Sequence, residues 1–479
     1  MLFKKTFVLS LFLLASICFF VVVTGHSHSR PHHNNMAIAD NNNYYQGVYG
    51  FLNGFDRQDP IASLDEMAEQ NINLVILYGT NYYVKTTVPS EKDGILEQHF
   101  SKIDRYLAHA HTLGIKVIMP IWRMPEDMRQ VPYMDAGKLD TAIRFIKRYR
   151  DNPTVIGWYL MDEPILRLEL LKDKAPNYFH KYVIPALDSL TEALDEYDTG
   201  DKLRFGVFQR YDKGNFGLKN GAKILINRYL TIWGHDLYPF IKKSPQEFQN
   251  MYYIIRNFYP LNDFVREVKK PFLYIGQAHS SDANPNWQQR MPTAREFLTQ
   301  QVYPMLLMSD EKPRYHLGNL SWAFGVMRST PEGRQFLEDV YAKSKRLIDL
   351  ISTGIANGRI KDISQGRDKA SYKGEQAIKA GIYEIPQDSQ IFYHKNWYPH
   401  PFRGKKMAIA LATRREKQDF SFRYPGKVIS LQLPLIPQDR ICTIEKFQHQ
   451  YDPIQQETLF KMQIMPFCPT VLIFDTEQC

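Results

Sequence analysis

Two adjacent carboxylates, Asp162 and Glu163, are the residues of this chain whose setting points most directly to chemistry. They follow the apolar run 155–161, which is too continuous for a strand with one wet face and predicts a buried parallel strand. Pro164 cannot donate a hydrogen bond to a neighbouring strand, so we expect the strand to end close to it. Carboxyl groups at such a strand end suit general acid/base catalysis, and a polar loop with a chance acidic pair is the alternative.

The chain between Tyr44 and Ser352 alternates short apolar runs with amphipathic segments of helical periodicity. Repeated strand–helix units predict an α/β fold with a parallel sheet, and eight units fit a closed (β/α)8 TIM barrel, for which about 250 residues are typical. A doubly wound open sheet is the alternative, but no G-x-G-x-x-G turn follows the first run. The predicted strands are 46–51, 73–78, 115–120, 155–161, 204–208, 230–234, 272–276 and 319–324.

The pattern changes after Ser352. Short runs there alternate apolar and polar residues with a period of two, which is typical of half-buried strands. Gly and Pro punctuate these runs, as at Pro425-Gly426. The pattern predicts a barrel domain over 44–352 followed by a smaller C-terminal all-β domain, a β-sandwich, over 355–479. Its clearest predicted strands are 420–424, 429–433 and 471–474.

The first 25 residues have the form of an export signal. Lys4 and Lys5 precede an almost unbroken apolar stretch from Phe7 to Val23. A cleaved signal peptide and an uncleaved membrane anchor both fit, and either one places the remaining chain outside the cytoplasm. We therefore predict a secreted, periplasmic or extracellular protein, attached to a membrane only where this segment stays uncleaved. For the polar His- and Asn-rich linker 26–43 we expect disorder, with metal binding as the alternative.

Three cysteines lie near the C-terminus. In an oxidising compartment Cys442 and Cys468 can form a disulfide, which leaves Cys479 over; three unpaired cysteines are the alternative.

The distribution of Lys and Arg along the chain bears on whether the protein binds nucleic acid. The 479 residues carry a net charge of +9, but Lys and Arg are spread along the chain in short pairs such as Lys269-Lys270. Because no basic stripe of the kind that follows phosphates is present, we expect no nucleic-acid partner. The sequence says nothing about the oligomeric state.

Polar and aromatic residues follow most of the predicted strands. In a closed barrel the carboxyl ends of all strands converge on one face, so we expect these side chains to meet there. Such a set suits sugars, whose hydroxyls bind polar groups and whose apolar ring faces lie on Trp and Tyr. No Gly-rich phosphate cradle is present and the metal-ligand signal is weak, so we predict no cofactor and no metal. The predicted substrate-binding residues are Trp122, Arg123, Gln209, His235, Asp236, Tyr238, Gln277 and Trp322.

With these residues in barrel order, the sequence resembles the clan A (β/α)8-barrel glycoside hydrolases over residues 44–352. Glu163, before a proline at the end of strand four, matches the position of that clan's general acid/base. The segment 236–239, Asp-Leu-Tyr-Pro, resembles its strand-six segment, whose Tyr contacts the nucleophile. Trp322 matches the strand-eight Trp that floors the sugar site. The resemblance implies a carbohydrate substrate and hydrolysis of O-glycosidic bonds.

Two positions depart from the pattern of that clan. Asp162 stands where the clan usually has Asn, and Gln277 stands where it has its nucleophilic Glu on strand seven. Glutamine cannot serve as a carboxylate nucleophile, so the usual double displacement is not expected.

Three alternatives are then open. The first is substrate-assisted hydrolysis, in which a 2-acetamido group attacks the anomeric carbon of its own sugar and Asp162 orients that group. The Asp162-Glu163 pair resembles the Asp-Glu pair of hexosaminidases that use this mechanism. Both acids can serve one site only if the backbone turns at the strand end. In inversion, Glu163 protonates the leaving oxygen while Asp236 or Asp282 activates water across a gap of about 6.5–9.5 Å. The third alternative is a catalytically inactive barrel that binds glycans.

Overall fold

The apolar runs of the first part of the chain form a closed barrel of eight parallel strands, as the sequence predicts. Each strand pairs in parallel with the next, and β1 pairs with β8 to close the barrel. The barrel strands are β1 Tyr45–Tyr49, β2 Leu74–Ile76, β3 Lys116–Pro120, β4 Val155–Asp162, β5 Leu203–Phe208, β6 Ile232–Leu237, β7 Phe272–Gln277 and β8 His316–Trp322. The structure, a computed structural model, describes residues 44–49, 60–77, 89–121, 134, 136–169, 171, 174–198, 200, 202–209, 220–240, 247–280, 289–309, 315–322, 324–356, 358–367, 376–393, 396–432, 442 and 444–477.

Helices follow the barrel strands, which gives the repeated strand–helix order expected of this fold. The α-helices are α1 Pro60–Glu69, α2 Pro89–Thr112, α3 Ala136–Tyr149, α4 Pro164–Glu169, α5 Ala175–Tyr178, α6 Ile184–Tyr197, α7 Gly221–Tyr229, α8 Glu247–Val268, α9 Ala294–Met308, α10 Phe324–Ser329, α11 Pro331–Phe336 and α12 Ala342–Ala356. Two short π-helical turns, Phe179–Val183 and Leu337–Tyr341, lead into α6 and α12.

Strand six differs from its predicted bounds. The sequence predicts a strand over 230–234, but β6 begins at Ile232 and ends at Leu237. His235 and Asp236 therefore lie inside the strand, not after it. Their polarity ends the predicted strand too early, because polar side chains can continue a buried strand when the fold supplies hydrogen-bond partners.

Strand eight is shifted for the same reason. The sequence predicts it over 319–324, whereas β8 begins at His316 and ends at Trp322. The ring of His316 is buried and its Nε2 lies 2.9 Å from Oδ1 of Asn319, so this polar start is satisfied within the strand.

The inward face of β6 is set by a glycine. A Cβ on Gly234 would lie 2.8 Å from the ring of Phe205 and 3.2 Å from the side chain of Ile275, so Gly234 faces the packed barrel interior. Because alternate residues of a strand share a face, Asp236 points the same way, one step nearer the carboxyl end.

The C-terminal part is all-β and antiparallel, as predicted. A six-stranded sheet has the order β10-β11-β14-β19-β16 with β9 paired to β11, a three-stranded sheet has the order β15-β18-β17, and β12 and β13 form a hairpin. These strands are β9 Arg359–Asp362, β10 Gln365–Arg367, β11 Gln376–Glu384, β12 Gln390–Tyr393, β13 Asn396–Pro399, β14 Lys406–Ala412, β15 Gln418–Pro425, β16 Lys427–Gln432, β17 Glu445–Asp452, β18 Glu457–Ile464 and β19 Pro469–Glu477.

The two larger sheets pack face to face around one apolar core. Phe422 and Phe460 of the smaller sheet stack with ring centroids 4.6 Å apart, and Phe460 contacts Phe474 of the larger sheet at 5.1 Å. Alternate residues of each strand contribute to this core, which is the pattern of a β-sandwich.

Helix α9 joins the barrel to the β-sandwich. The hydroxyl of Thr299 donates to the carbonyl oxygen of Phe467 over 2.8 Å, and the hydroxyls of Ser309 and Tyr383 lie 2.9 Å apart. The predicted Cys442–Cys468 disulfide is present directly after Phe467, while Cys479 lies outside the described residues.

The N-terminal leader and linker, residues 1–43, also lie outside the described residues. Within the described part of the chain, no helix has the length and apolarity needed to cross a membrane.

Candidate active site

The backbone turns sharply at the end of β4. Asp162 and Glu163 are adjacent in the chain, so they can face one site only if the backbone turns in this way. Pairing between β4 and β5 shifts register after Tyr159, and Glu163 then adopts a left-handed conformation with φ of 45°. Its N–H still donates to the carbonyl oxygen of Val207 over 2.9 Å, which holds the turned residue against β5. A left-handed conformation is unfavourable for a residue with a side chain, and such strain concentrates at functional sites.

Asp162 is held beside this turn. The hydroxyl of Tyr159 donates to its Oδ1 over 2.7 Å, and Asp162 is only 8% exposed. Tyr159 lies on the same strand, so β4 itself supplies the group that orients this carboxylate.

The carboxyl group of Asp236 meets that of Glu163. The two side chains share a hydrogen bond, although one comes from the end of β4 and the other from β6. Burial, and in addition the negative charge of Asp162, raises the pKa of Asp236 from 3.8 to about 6, while hydrogen bonds from Glu163 and Tyr238 oppose the rise. A carboxyl–carboxyl hydrogen bond requires a proton on one of the two groups, so this contact forms only while one of them is protonated.

Tyr238 contacts this pair and links it to aromatic residues. Its hydroxyl donates a hydrogen bond to Asp236. The pKa of Tyr238 is raised well above its ordinary value, mainly by burial and next by the negative charge of Asp236. The ring of Tyr238 lies 5.0 Å from that of His279 and 6.4 Å from that of Trp322. Predicted residues from β4, β6 and β8 thus meet at one end of the barrel.

The two site histidines are neutral at ordinary pH. Burial lowers the pKa of His235 and that of His279 to about 4. Nδ1 of His235 lies 2.8 Å from the carbonyl oxygen of Phe208, and Nδ1 of His279 lies 3.3 Å from that of Trp322. Because a carbonyl oxygen only accepts, each Nδ1 carries the hydrogen, and each ring ties one barrel strand to the next. His235 is 3% exposed, and its contact with a sugar stays a prediction.

Gln277 is bound to backbone groups in this structure, and its contact with a sugar stays a prediction. It is fully buried, and its side-chain amide donates to the carbonyl oxygens of Phe240, His279 and Arg290 over 3.1, 3.2 and 2.8 Å. Its Oε1 accepts from the N–H of Phe240 over 2.9 Å. Both ends of this amide therefore bind backbone around the mouth of the barrel.

Arg290, whose carbonyl oxygen accepts a hydrogen bond from Gln277, also forms an ion pair that was not predicted from the sequence. Arg290 donates two hydrogen bonds to the buried carboxylate of Glu296, over 2.6 and 2.7 Å. Glu296 also closes a capping box with Thr293 at the start of α9. The spacing Thr-x-x-Glu before a helix is a recognised signal for this cap, and it could have indicated the anchor.

Four residues named from the sequence contribute less to the described geometry. Gln209 is half-buried directly after β5, at the same end of the barrel as Glu163. Trp122 and Arg123 lie outside the described residues, as does Asp282. Among the residues whose placement is described, no group of three or more His, Cys, Asp or Glu side chains is arranged to bind a metal ion.

Comparison with known proteins gives similarity of fold. No protein-family model and no curated protein matches the chain. A family 39 glycoside hydrolase from Bacteroides cellulosilyticus WH2 is 11% identical, with 90% of this chain and 80% of that chain covered and a TM-score of 0.48. A family 5 glycoside hydrolase from Bacteroides vulgatus is 13% identical, with 88% and 89% covered and a TM-score of 0.47. An endo-β-1,4-mannanase from Thermotoga petrophila is 13% identical, with 89% and 92% covered and a TM-score of 0.43. At these identities the function has to be argued from the site itself.

Proposed function

We propose that this protein is an exported glycoside hydrolase in which Glu163 donates a proton to the oxygen of the glycosidic bond. The contact between the carboxyl groups of Glu163 and Asp236 carries this proposal. Burying two acids together is costly, so the arrangement is difficult to explain as a means of stabilising the fold. It keeps a proton available at the mouth of the barrel, which is what a general acid requires.

The surroundings fit a sugar. Tyr238 is half-buried and Trp322 is 7% exposed, so aromatic surface lies beside the acid pair. A sugar whose apolar face rests on these rings would bring its bridging oxygen towards the carboxyl of Glu163. Gln209 adds a polar group at the same end of the barrel.

The geometry disfavours inversion with Asp236 as the base and is compatible with substrate assistance, while Asp282, the other candidate base, lies outside the described residues. Inversion needs about 6.5–9.5 Å between the two carboxyl groups to hold a water molecule, and Glu163 and Asp236 are instead in direct contact. Substrate assistance needs no such gap, and Tyr159 holds Asp162 beside the acid. We therefore propose 2-acetamido sugars as the first substrates to test.

The test is a panel of aryl glycosides with and without a 2-acetamido group, assayed with the parent protein and with Glu163→Gln. We expect turnover of 2-acetamido substrates, and loss of about 10²–10⁴-fold in Glu163→Gln for poor leaving groups. Reactive aryl groups need little protonation, so their turnover should fall least. Glu192→Gln, on the exposed face of α6, is the matched control and should behave like the parent. A Glu163→Gln variant as active as the parent on both substrate types would remove Glu163 from the mechanism.

A glycan-binding protein without hydrolytic activity is the second candidate. The observation in its favour is that Gln277 supplies no carboxylate and is engaged with backbone on all sides. Calorimetric titration with oligosaccharides distinguishes the two candidates. Binding by the parent that Trp322→Ala weakens, with no product formed over hours, would select this candidate.

A further inference from the structure

The carboxyl groups of Glu163 and Asp236 can share one proton. Asp236 is 2% exposed, and its Oδ1 has no hydrogen-bond partner in the described structure. A carboxylate only accepts hydrogen bonds, so the contact between the two side chains is lost if both ionise. Their like charges also disfavour ionisation of the second group once the first has ionised.

The described groups that face Asp236 bring no positive charge to it. Asp162 adds a negative charge from the end of β4, and phenol groups face Asp236 from Tyr238, directly after β6, and from Tyr274 on β7. His235, the preceding residue, is neutral above about pH 5 because burial lowers its pKa to about 4. Over the described ranges, no Lys or Arg forms an ion pair with Asp236. Among the described residues, the charge of Asp236 is therefore balanced by hydrogen bonds.

The hydrogen-bond directions decide which group holds the proton. The hydroxyl of Tyr238 donates to Asp236, and this stabilises Asp236 as the ionised acceptor. Glu163 is then the protonated partner, and its carboxyl hydrogen points at Asp236 until a substrate oxygen replaces that acceptor.

We propose that Asp236 is the positioning residue for the proton donor: it accepts the carboxyl hydrogen of Glu163, fixes the direction of that carboxyl, and keeps the proton on Glu163 by its negative charge. The inference rests on the proposed hydrolysis and adds a role for strand six. The negative charge beside the acid comes from position 236, while position 277 carries an uncharged amide.

The first test is the pH dependence of kcat/KM in Asp236→Asn on an aryl glycoside that the parent hydrolyses. Without the neighbouring charge, Glu163 loses its proton more easily, so the alkaline limb should move to lower pH by about 1 to 2 units. Asp349→Asn is the matched control, because Asp349 is a half-buried carboxylate on α12 that interacts with Lys345 and Asn71, next to the amino end of β2. The control should change stability and leave the limb in place. An unmoved limb in Asp236→Asn would overturn the proposal.

The second test needs no substrate. Urea-unfolding midpoints are measured for the parent, Glu163→Gln, Asp236→Asn and the double variant, at about pH 5 and pH 8. A shared proton predicts that the two substitutions are not additive and that the deviation grows with pH. Additive midpoints at both pH values would overturn the proposal. Non-additivity without turnover of any glycoside would instead confirm the shared proton and overturn the proposed hydrolysis.

Discussion

Asp236→Asn should stabilise this protein at neutral and alkaline pH, although it removes a group from the candidate active site. The pKa of this carboxyl rises from 3.8 to about 6 on folding, mainly because of burial. At about 1.4 kcal/mol per pKa unit, the ionised carboxylate costs the folded state about 3 kcal/mol. Asn has nearly the same shape, keeps an acceptor for the hydroxyl of Tyr238, and carries no charge.

The sign of the pH dependence follows from the direction of the shift. The folded state binds this proton more tightly than the unfolded state, so stability is highest when Asp236 is protonated in both. The contribution of Asp236 to stability falls as the pH rises through the window between 3.8 and about 6 and then stays level. Asn does not titrate, so parent and variant should be similar near pH 4, and the variant should gain up to about 3 kcal/mol above pH 7.

Equilibrium unfolding in urea at several pH values between about 4 and 8 measures this difference directly. Equal slopes of the unfolding transitions would show that the difference lies in stability. The reasoning is refuted if the variant is less stable than the parent at pH 8, or if their difference does not change between pH 4 and pH 8.

Two further predictions concern residues that support the site. Gln277→Glu would place a carboxylate against three backbone carbonyl oxygens, so we expect a loss of at least about 3 kcal/mol and no gain in turnover, measured by thermal unfolding and glycoside assay. A stable variant with raised turnover would show that position 277 faces the substrate after all. Replacing both Cys442 and Cys468 by Ser opens a loop with a sequence separation of 26 residues, which should cost about 3.5 kcal/mol. The unfolding temperature should fall to that of the parent in reductant, and a parent insensitive to reductant would contradict this.

Local sequence patterns were sufficient for the order of the elements. Each barrel strand is an apolar run bounded by turn residues, and the spacing between runs leaves room for a helix, so eight parallel strands could be predicted without any long-range contact. In the β-sandwich, alternation of apolar and polar residues gave the class of the domain and three of its eleven described strands, β15, β16 and β19. The strand ends were less certain at β6 and β8, because a buried polar side chain and a loop residue look alike in sequence.

The sequence by itself determined that Asp162 and Glu163 lie at the end of a buried strand in a barrel, because hydrophobic periodicity and Pro164 are local signals. Only the tertiary structure decided that Asp236 contacts Glu163, and that Gln277 binds the backbone of the barrel mouth and not an open site. Both outcomes depend on how strands far apart in the chain come together when the barrel closes, and on which way a loop carbonyl points. No local pattern encodes either one, since the hydrogen bonds that settle them form only between segments that folding has already brought together.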